Sequence, residues 1–200
     1  MIKKLLLCCL IVIPFIASAQ SYNDDLLQWR EGFIQSLLRG SQMLKPADTQ
    51  YLDFFIPDAD YRVEANFVRA SSAHPFYLKT MYGGAPLEVK EYGRAEFNLM
   101  SAPLTLHIYT ILKADGKGNY NLFIPFTDPT NSYKTFRGGR YIDITANDIK
   151  DGKVVIDFNK CYNPHSAYEK GYPYVLAPSA NHLPLDINAG EKKFGIDPPF

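Results

Sequence analysis

The stretch LTLHIYTILK, residues 104–113, decides the fold because its side chains alternate in character along the chain. One face of this extended segment carries Leu104, Leu106, Ile108 and Leu112, and the other carries Thr105, His107 and Tyr109. A period of two predicts a half-buried strand. The glycine-rich loop DGKGN, residues 115–119, joins it to a second predicted strand, Tyr120–Ile124. A short loop of this kind is typical of an antiparallel hairpin.

Short strands are predicted along most of the remaining chain. They are Tyr61–Phe67, Phe76–Met81, Leu87–Tyr92, Arg94–Met100, Arg140–Ile144, Val154–Phe158 and Leu185–Asn188. Regular alternation favours antiparallel pairing, because parallel strands are usually apolar on both faces. The sequence has no glycine-rich turn between a strand and a helix, which argues against a dinucleotide-binding fold. The predicted fold class is therefore mainly β, an antiparallel sandwich or barrel of short strands.

One amphipathic helix is predicted near the N-terminus, at Ser21–Arg39. Its apolar stripe recurs at steps of three and four residues and consists of Leu26, Trp29, Phe33 and Leu37. Such a stripe must be buried, so we expect the helix to lie against the sheet or to close one end of a barrel. Trp29 is interpreted as a packing residue.

The first nineteen residues have the pattern of a secretory signal peptide. Lys3 and Lys4 precede an apolar run, Leu5–Ile16, and Ala17-Ser18-Ala19 forms a small-residue cleavage site. The run is too short to span a bilayer comfortably. We therefore expect residues 1–19 to be removed and residues 20–200 to form a single domain. The expected location is periplasmic or secreted, without stable membrane insertion.

The charge and the cysteine content argue against nucleic-acid binding and against a fold held by disulfides. Removal of Lys3 and Lys4 leaves 19 basic and 21 acidic residues, a net charge of −2. No cluster of Lys and Arg is present, so a nucleic acid is not expected as a partner. Cys161 is the one cysteine left after cleavage, which rules out an intramolecular disulfide. We expect it to be a small buried residue.

The second half of the chain contains three polar segments, Phe126–Tyr141, Asp157–Pro164 and Asn181–Lys192. Their Asn residues are typical of turns whose side chains bond nearby backbone groups. Alternatively, Arg137 and Arg140, beside a Gly-Gly turn, could hold a carboxylate or phosphate in a bidentate manner. A structural salt bridge from Arg140 to Asp157 or Glu191 is the competing interpretation.

These segments resemble a bacterial exported family of domains of unknown function, number sixteen-eighty-four. The resemblance rests on Gly139-Arg140-Tyr141, on Asp157–Pro164 and on Asn181–Lys192, which ends in Ala-Gly-Glu-Lys. It spans Asp58–Phe194, is strongest over the C-terminal third, and implies no reaction. Family members commonly place cysteines at the positions of Ser166 and Tyr174. The resemblance therefore implies no redox, disulfide or thiolate-metal role for this loop here.

The expected function is binding of a small polar or anionic ligand in a pocket lined by the C-terminal loop, the Tyr-, Asn- and Pro-rich part of Val154–Phe194. Tyr162, Tyr168, Tyr172 and Tyr174 would supply its stacking walls. The candidate ligand-binding residues are Arg137, Arg140, Asp157, Asn159, Tyr162, Asn163, Tyr168, Asn181, Glu191 and Lys192. Neither a cofactor nor a metal site is predicted, since His107, His165 and His182 lack the short spacings of metal motifs.

Two alternatives to ligand binding remain, and the sequence leaves open whether the protein is an enzyme. One is a hydrolase-like enzyme with Asp157 or Glu191 as general base and Arg140 stabilising negative charge. The other is a structural or envelope-interaction domain without a small-molecule site. A ligand-binding Arg140 predicts that Arg140→Ala loses ligand but keeps the fold.

Overall fold

The computed structural model describes residues 13–40, 43–112 and 121–195. In these residues helix α1, Ile13–Gln35, continues as a π-helical turn, Ser36–Gly40, and seven strands follow. The strands are β1 Arg62–Arg69, β2 Phe76–Leu78, β3 Leu87–Leu99, β4 Ala102–Ile111, β5 Asn121–Phe126, β6 Arg140–Thr145 and β7 Lys153–Asp157. Short 3-10 helices lie at Pro46–Tyr51, Ala59–Tyr61, Ala146–Asp148, Phe158–Lys160, His165–Ala167 and Ser179–Asn181.

All strands pair antiparallel in one curved sheet with the order β6-β5-β4-β3-β1-β7, and β2 pairs with the start of β3. The sheet forms a half-barrel that runs from β6 at one end to β7 at the other. The prediction of a mainly β, antiparallel fold with one N-terminal helix is confirmed.

Alternate residues of the strands point into the half-barrel and form its core, which we call the inner face. Leu106 and Ile108 of β4 are fully buried there, as their alternation predicts. Tyr109 lies on the opposite, outer face, yet it is also buried, because it packs against Leu78 and Val89. The outer face is therefore partly covered as well.

The two strands predicted at Leu87–Tyr92 and Arg94–Met100 are one strand, β3, and that prediction of two elements is wrong. A β-bulge between Glu91 and Gly93 shifts the register without ending the pairing with β4. A side chain at Gly93 would lie 2.6 Å from the Phe67 ring and from the Val68 carbonyl oxygen. Glycine lets the neighbouring strand approach at this position.

The prediction of a strand at Leu185–Asn188 is also wrong. This segment is irregular, although Ile187 and Ala189 are fully buried in the core. The apolar alternation of this segment reflects its burial. The backbone groups of the segment bond to side chains instead of to a neighbouring strand, as described below. The strand predicted at Phe76–Met81 ends at Leu78. The predicted hairpin loop at 115–119 lies outside the described residues.

Helix α1 packs on the 3-10 turn that follows β7. The Tyr22 hydroxyl donates to the Asp157 carboxylate at 2.9 Å, and the Arg30 guanidinium donates to the Phe55 carbonyl oxygen at 2.9 Å. Leu26 and Leu37 are buried, as the stripe predicts. The predicted signal peptide lies mostly outside the described residues. Within the part of the chain that the structure describes, no helix is long and apolar enough to cross a membrane.

Candidate functional site

Arg140, the first residue of β6, points into the half-barrel and is fully buried. Its guanidinium donates to the Asp128 carboxylate at 3.0 Å, to the Ile187 carbonyl oxygen at 2.8 Å and to the Ala189 carbonyl oxygen. Asp128 in turn accepts from the Ile187 amide at 3.2 Å. The Arg140–Asp128 pair therefore ties the irregular segment around residue 187 to the sheet. No part of Arg140 faces solvent. Its ion-pair partner is Asp128, so the predicted salt bridge to Asp157 or Glu191 is wrong.

Gly190 allows the same segment to pack tightly against the turn after β7. Its φ is +75°, and a side chain here would lie 2.3 Å from the Cys161 sulfur. The Gly190 carbonyl oxygen accepts from the Phe55 amide at 2.9 Å. Cys161 is fully buried, as expected, and burial raises the pKa of its thiol to about 12. The glycine of the Ala-Gly-Glu-Lys motif is thus required by its positive φ and by the close packing around it.

Glu191 is fully buried beside this glycine. Its carboxylate accepts from the Tyr168 hydroxyl at 2.7 Å and from the Asn163 amide at 2.8 Å. Burial raises the pKa of the Glu191 carboxyl to about 7, and these hydrogen bonds offset only part of that effect. A general base must reach a substrate proton, and in this conformation Glu191 reaches only internal donors. The geometry does not favour the predicted role of Glu191 as general base.

Three further predicted residues also bond internally. Asp157 is buried, and its carboxylate accepts hydrogen bonds from the Tyr22 hydroxyl and from the Asn159 backbone amide, the latter at 3.1 Å. Asn159 is fully buried, and its side chain donates to the Asp58 carbonyl oxygen at 2.8 Å. Asn181 donates to the carbonyl oxygens of His107 and Pro125, each at 2.9 Å. These contacts agree with the interpretation that the Asn side chains support irregular backbone.

The remaining candidates, Arg137, Asn163 and Lys192, do not converge on one site. Arg137 is exposed and donates to the Tyr82 hydroxyl, whereas Lys192 is half-buried and pairs with Asp53 at 2.8 Å. Asn163 is buried and donates to the Lys192 carbonyl oxygen at 2.8 Å. The structure does not gather the ten predicted residues in one pocket.

A different part of the C-terminal segment leaves an open space. Residues 162–175, which we call the covering loop, lie across the outer face of the sheet. The loop is held there by paired backbone hydrogen bonds between Tyr141 and Tyr162, of 2.9 and 3.0 Å, and by the Tyr141 hydroxyl, which donates to the Val175 carbonyl oxygen at 2.7 Å. Between the loop and the sheet remains a cavity of about 350 Å³, the outer-face cavity. Its lining comprises Leu87, Ile111, Leu122, Phe123, Tyr141, Asp143, Tyr162, Pro164, His165, Pro173, Tyr174 and Val175.

Asp143 supplies the carboxylate of this cavity. It lies two residues after Tyr141 on the outer face of β6 and directly opposite Phe123 of β5. The Tyr162 hydroxyl donates to its Oδ2 atom at 2.7 Å. Surrounding protein raises the pKa of the Asp143 carboxyl, and the Tyr162 hydrogen bond opposes that rise. Asp143 nevertheless remains accessible to water.

Tyr162 borders both the outer-face cavity and a second cavity under helix α1. This second cavity has a volume of about 480 Å³ and includes Asp143, Lys160, Tyr162 and His165 in its lining. On the helix side, Trp29 stacks on Phe33, with ring centroids 5.5 Å apart, and both residues line the cavity. Trp29 is thus half-buried at a cavity wall, not in the interior of the core.

His165 borders both cavities and is half-buried. Its ring meets Tyr172 edge to face, with centroids 5.4 Å apart. Burial lowers the pKa of the His165 imidazole. Of the four predicted tyrosine walls, Tyr162 and Tyr174 line the outer-face cavity, Tyr168 bonds to Glu191, and Tyr172 packs on His165.

A third concave surface of about 580 Å³ lies where the edge strands β6 and β7 diverge. It contains Asp157 and carries interleaved acidic and basic side chains, among them Arg62, Glu64, Lys150 and Lys153. Across the described residues, no three His, Cys, Asp or Glu side chains are grouped as a metal site would require.

Sequence reasoning missed Asp143 as a site residue. In RYIDIT the alternation shows only that Asp143 shares a face with Tyr141. Which face the covering loop covers depends on contacts between residues distant in sequence. The aromatic residue opposite Asp143 is Phe123, and the β5–β6 register that pairs them was not predictable from either strand alone.

Together, the fold and these cavities define an antiparallel β half-barrel whose C-terminal residues cover part of the outer face of its own sheet. The model of a protein family described as a protein of unknown function, DUF1684, matches residues 48–192. The chain belongs to this family. The matched range agrees with the resemblance seen in the sequence motifs.

A solved structure has a similar fold. The solution NMR structure of an uncharacterized protein from Haloarcula marismortui is 25% identical in sequence, with a TM-score of 0.69. The similarity covers 88% of this chain and 96% of the other. No curated protein matches the chain.

Proposed function

We propose that this domain binds a small polar ligand in the outer-face cavity. The observation that carries the proposal is a cavity between sheet and covering loop that combines apolar and aromatic walls with one accessible carboxylate, Asp143. Ligand sites in proteins typically have this composition, a mainly apolar concave surface with a few polar groups that orient the ligand. The volume of about 350 Å³ is suited to a small molecule.

The internal hydrogen bonds of the C-terminal segment support this proposal indirectly. Arg140, Glu191 and Asn163 fasten the segment to the half-barrel, so the covering loop can be held at a fixed distance from the sheet. A preformed site costs less ordering entropy on binding than one built from a mobile loop. In this proposal Arg140, Glu191 and Asn163, which were predicted as ligand contacts, hold the site in place instead. Tyr162 is the residue of the predicted set that would contact the ligand.

A thermal-shift screen of the protein against amines, amino acids, sugars, nucleosides and organic acids tests the proposal. A ligand that binds only the folded state raises the melting temperature by mass action. The matched variants are Leu87→Phe, which adds volume at the cavity wall, and Val68→Phe, which adds the same kind of volume at an exposed position of β1.

We expect a hit whose shift is lost in Leu87→Phe and kept in Val68→Phe. A hit that survives Leu87→Phe would place binding elsewhere. No shift with any compound class would favour the structural or envelope-interaction alternative.

We also propose that the protein is exported and acts in the periplasm or outside the cell, since residues 1–19 have the pattern of a signal peptide. The test is expression of the full chain in a bacterial host, followed by fractionation and mass spectrometry of the intact protein. We expect export and an N-terminus at Gln20. A chain retained in the cytoplasm with residues 1–19 attached would overturn this.

A further inference from the structure

We infer that the outer-face cavity selects a positively charged ligand, a small organic ammonium ion, held between Asp143 and the aromatic rings of the cavity wall. The inference rests on the proposed ligand-binding function of this cavity and adds the charge of its ligand. It also replaces the expectation of an anionic ligand held by Arg137 and Arg140.

The first argument is that one oxygen of the Asp143 carboxylate is available to a ligand. Oδ2 accepts from the Tyr162 hydroxyl, whereas Oδ1 has no hydrogen-bond partner among the residues that the structure describes. No Lys or Arg in the same set forms an ion pair with Asp143. A carboxylate is stabilised by a nearby opposite charge, so Asp143 can attract an ammonium ion whether or not its nitrogen carries a hydrogen.

The second argument is the set of rings around this carboxylate. Phe123, Tyr141, Tyr162 and Tyr174 all border the cavity. The Phe123 and Tyr141 ring centroids are 4.7 Å apart, and those of Tyr141 and Tyr162 are 5.9 Å apart, both pairs edge to face. Aromatic walls attract cations through their ring quadrupoles, and several rings around one site are the usual way proteins recognise ammonium groups.

The third argument is the sign of the remaining charges. The described lining of the outer-face cavity contains no Lys or Arg. Among the described lining residues, His165 carries the titratable nitrogen. Burial lowers the pKa of its imidazole, which favours the neutral form at neutral pH. Lys160 lines the second cavity, which Asp143 also borders, but the two side chains form no ion pair in the described part of the chain. An anion in this cavity would meet Asp143 without a compensating cation, whereas a cation would be attracted.

The test compares three probes of nearly equal shape and different charge. They are choline, neohexyl alcohol, in which a carbon replaces the choline nitrogen, and tert-butylacetate, which carries a negative charge. Each is titrated into the protein while amide resonances are followed by two-dimensional NMR, so that both the affinity and the place of binding are measured. The variants are Asp143→Asn and, as a charge-matched control, Asp151→Asn at an exposed turn outside the cavity.

We expect choline to perturb residues of the outer-face cavity and to bind about tenfold or more tightly than neohexyl alcohol, with the anion tert-butylacetate (3,3-dimethylbutanoate) weakest. Asp143→Asn should remove this preference, and Asp151→Asn should keep it. The NMR spectrum of each variant shows whether the fold is intact.

Three outcomes overturn the inference, and they are distinguishable from one another. If neohexyl alcohol or tert-butylacetate binds this cavity as tightly as choline, the ligand-binding function stands and its charge preference is wrong. If no probe perturbs the cavity at millimolar concentration, the inference fails and the proposed ligand-binding function loses its support with it. A choline preference that persists in Asp143→Asn assigns the selectivity to another residue and also contradicts the inference.

Discussion

The two faces of strand β6 carry charged residues with opposite roles. Arg140 points to the inner face, is fully buried and has donors bonded to Asp128 and to carbonyl oxygens of the C-terminal segment. Asp143, three residues later on the outer face, is accessible to water and accepts one hydrogen bond, from Tyr162. A charge whose partners are internal supports the fold, and a charge with free bonding capacity beside a cavity is available for a ligand.

The first way to break this comparison is to remove the inner charge. Arg140→Ala leaves the Asp128 carboxylate buried without its cation and removes the donor from three carbonyl oxygens, those of Ile187, Ala189 and Glu191. We expect a loss of about 3–5 kcal/mol in the free energy of unfolding, because an unpaired buried charge is costly. Urea denaturation measures the loss.

Arg137→Ala is the matched control for Arg140→Ala. Arg137 is exposed and contacts Tyr82, so its removal should cost less than about 1 kcal/mol. A folded Arg140→Ala protein with wild-type stability and lost ligand binding would reverse the assignment and restore Arg140 as a ligand contact.

The second prediction sharpens the comparison through pH. The pKa of Glu191 is about 7 in the folded protein against an ordinary value of 4.5, so between these values the folded state holds a proton that the unfolded state has lost. The contribution of Glu191 to stability therefore falls as pH rises from about 4.5 to about 7. We expect a decrease of up to about 3 kcal/mol, since each pKa unit corresponds to about 1.4 kcal/mol.

The measurement is the urea midpoint of the wild type and of Glu191→Gln at about pH 5 and about pH 8. Glu191→Gln should lose most of the difference between the two pH values. Asp143 and His165 titrate in both proteins, so their contributions cancel in the comparison. Equal pH dependence in the two proteins would show that Glu191 does not titrate in this range.

The smallest effect is expected on the outer face. Asp143→Asn removes a charge that has no internal cation partner among the described residues, and it keeps an acceptor for the Tyr162 hydroxyl. Its free energy of unfolding should stay within about 0.5 kcal/mol of the wild type. Thermal and urea unfolding check this value. A large destabilisation would mean that Asp143 is a structural residue like Arg140.

Several features of the fold were predictable because they are local. The alternation at 104–113 predicted β4, and the apolar stripe of Ser21–Arg39 predicted the part of α1 that packs on the turn after β7. Predictions failed where a distant contact overrides the local pattern. The bulge at Gly93 preserves pairing across a predicted strand break, and Arg140 binds the backbone of the 187–189 segment, which therefore needs no neighbouring strand.

The candidate site shows the same division. The C-terminal loop was predicted as the functional segment from its Tyr, Asn and Pro content, and Tyr162 and Tyr174 of that loop border the outer-face cavity. Its polar residues were interpreted as ligand contacts, but burial of Arg140, Glu191, Asn159 and Asn163 assigns them to internal hydrogen bonds. A sequence lists hydrogen-bonding groups without telling which of them meet partners inside the protein.

The antiparallel β class, the position of the helix and the motifs of the DUF1684 family can be predicted from the chain, because they depend on periodicity and on residue types close together in it. That β6 turns Arg140 inward and Asp143 toward a cavity follows instead from contacts between residues distant in the chain. The physical reason is that burial and charge compensation depend on the β5–β6 register and on a covering loop that begins nineteen residues after Asp143.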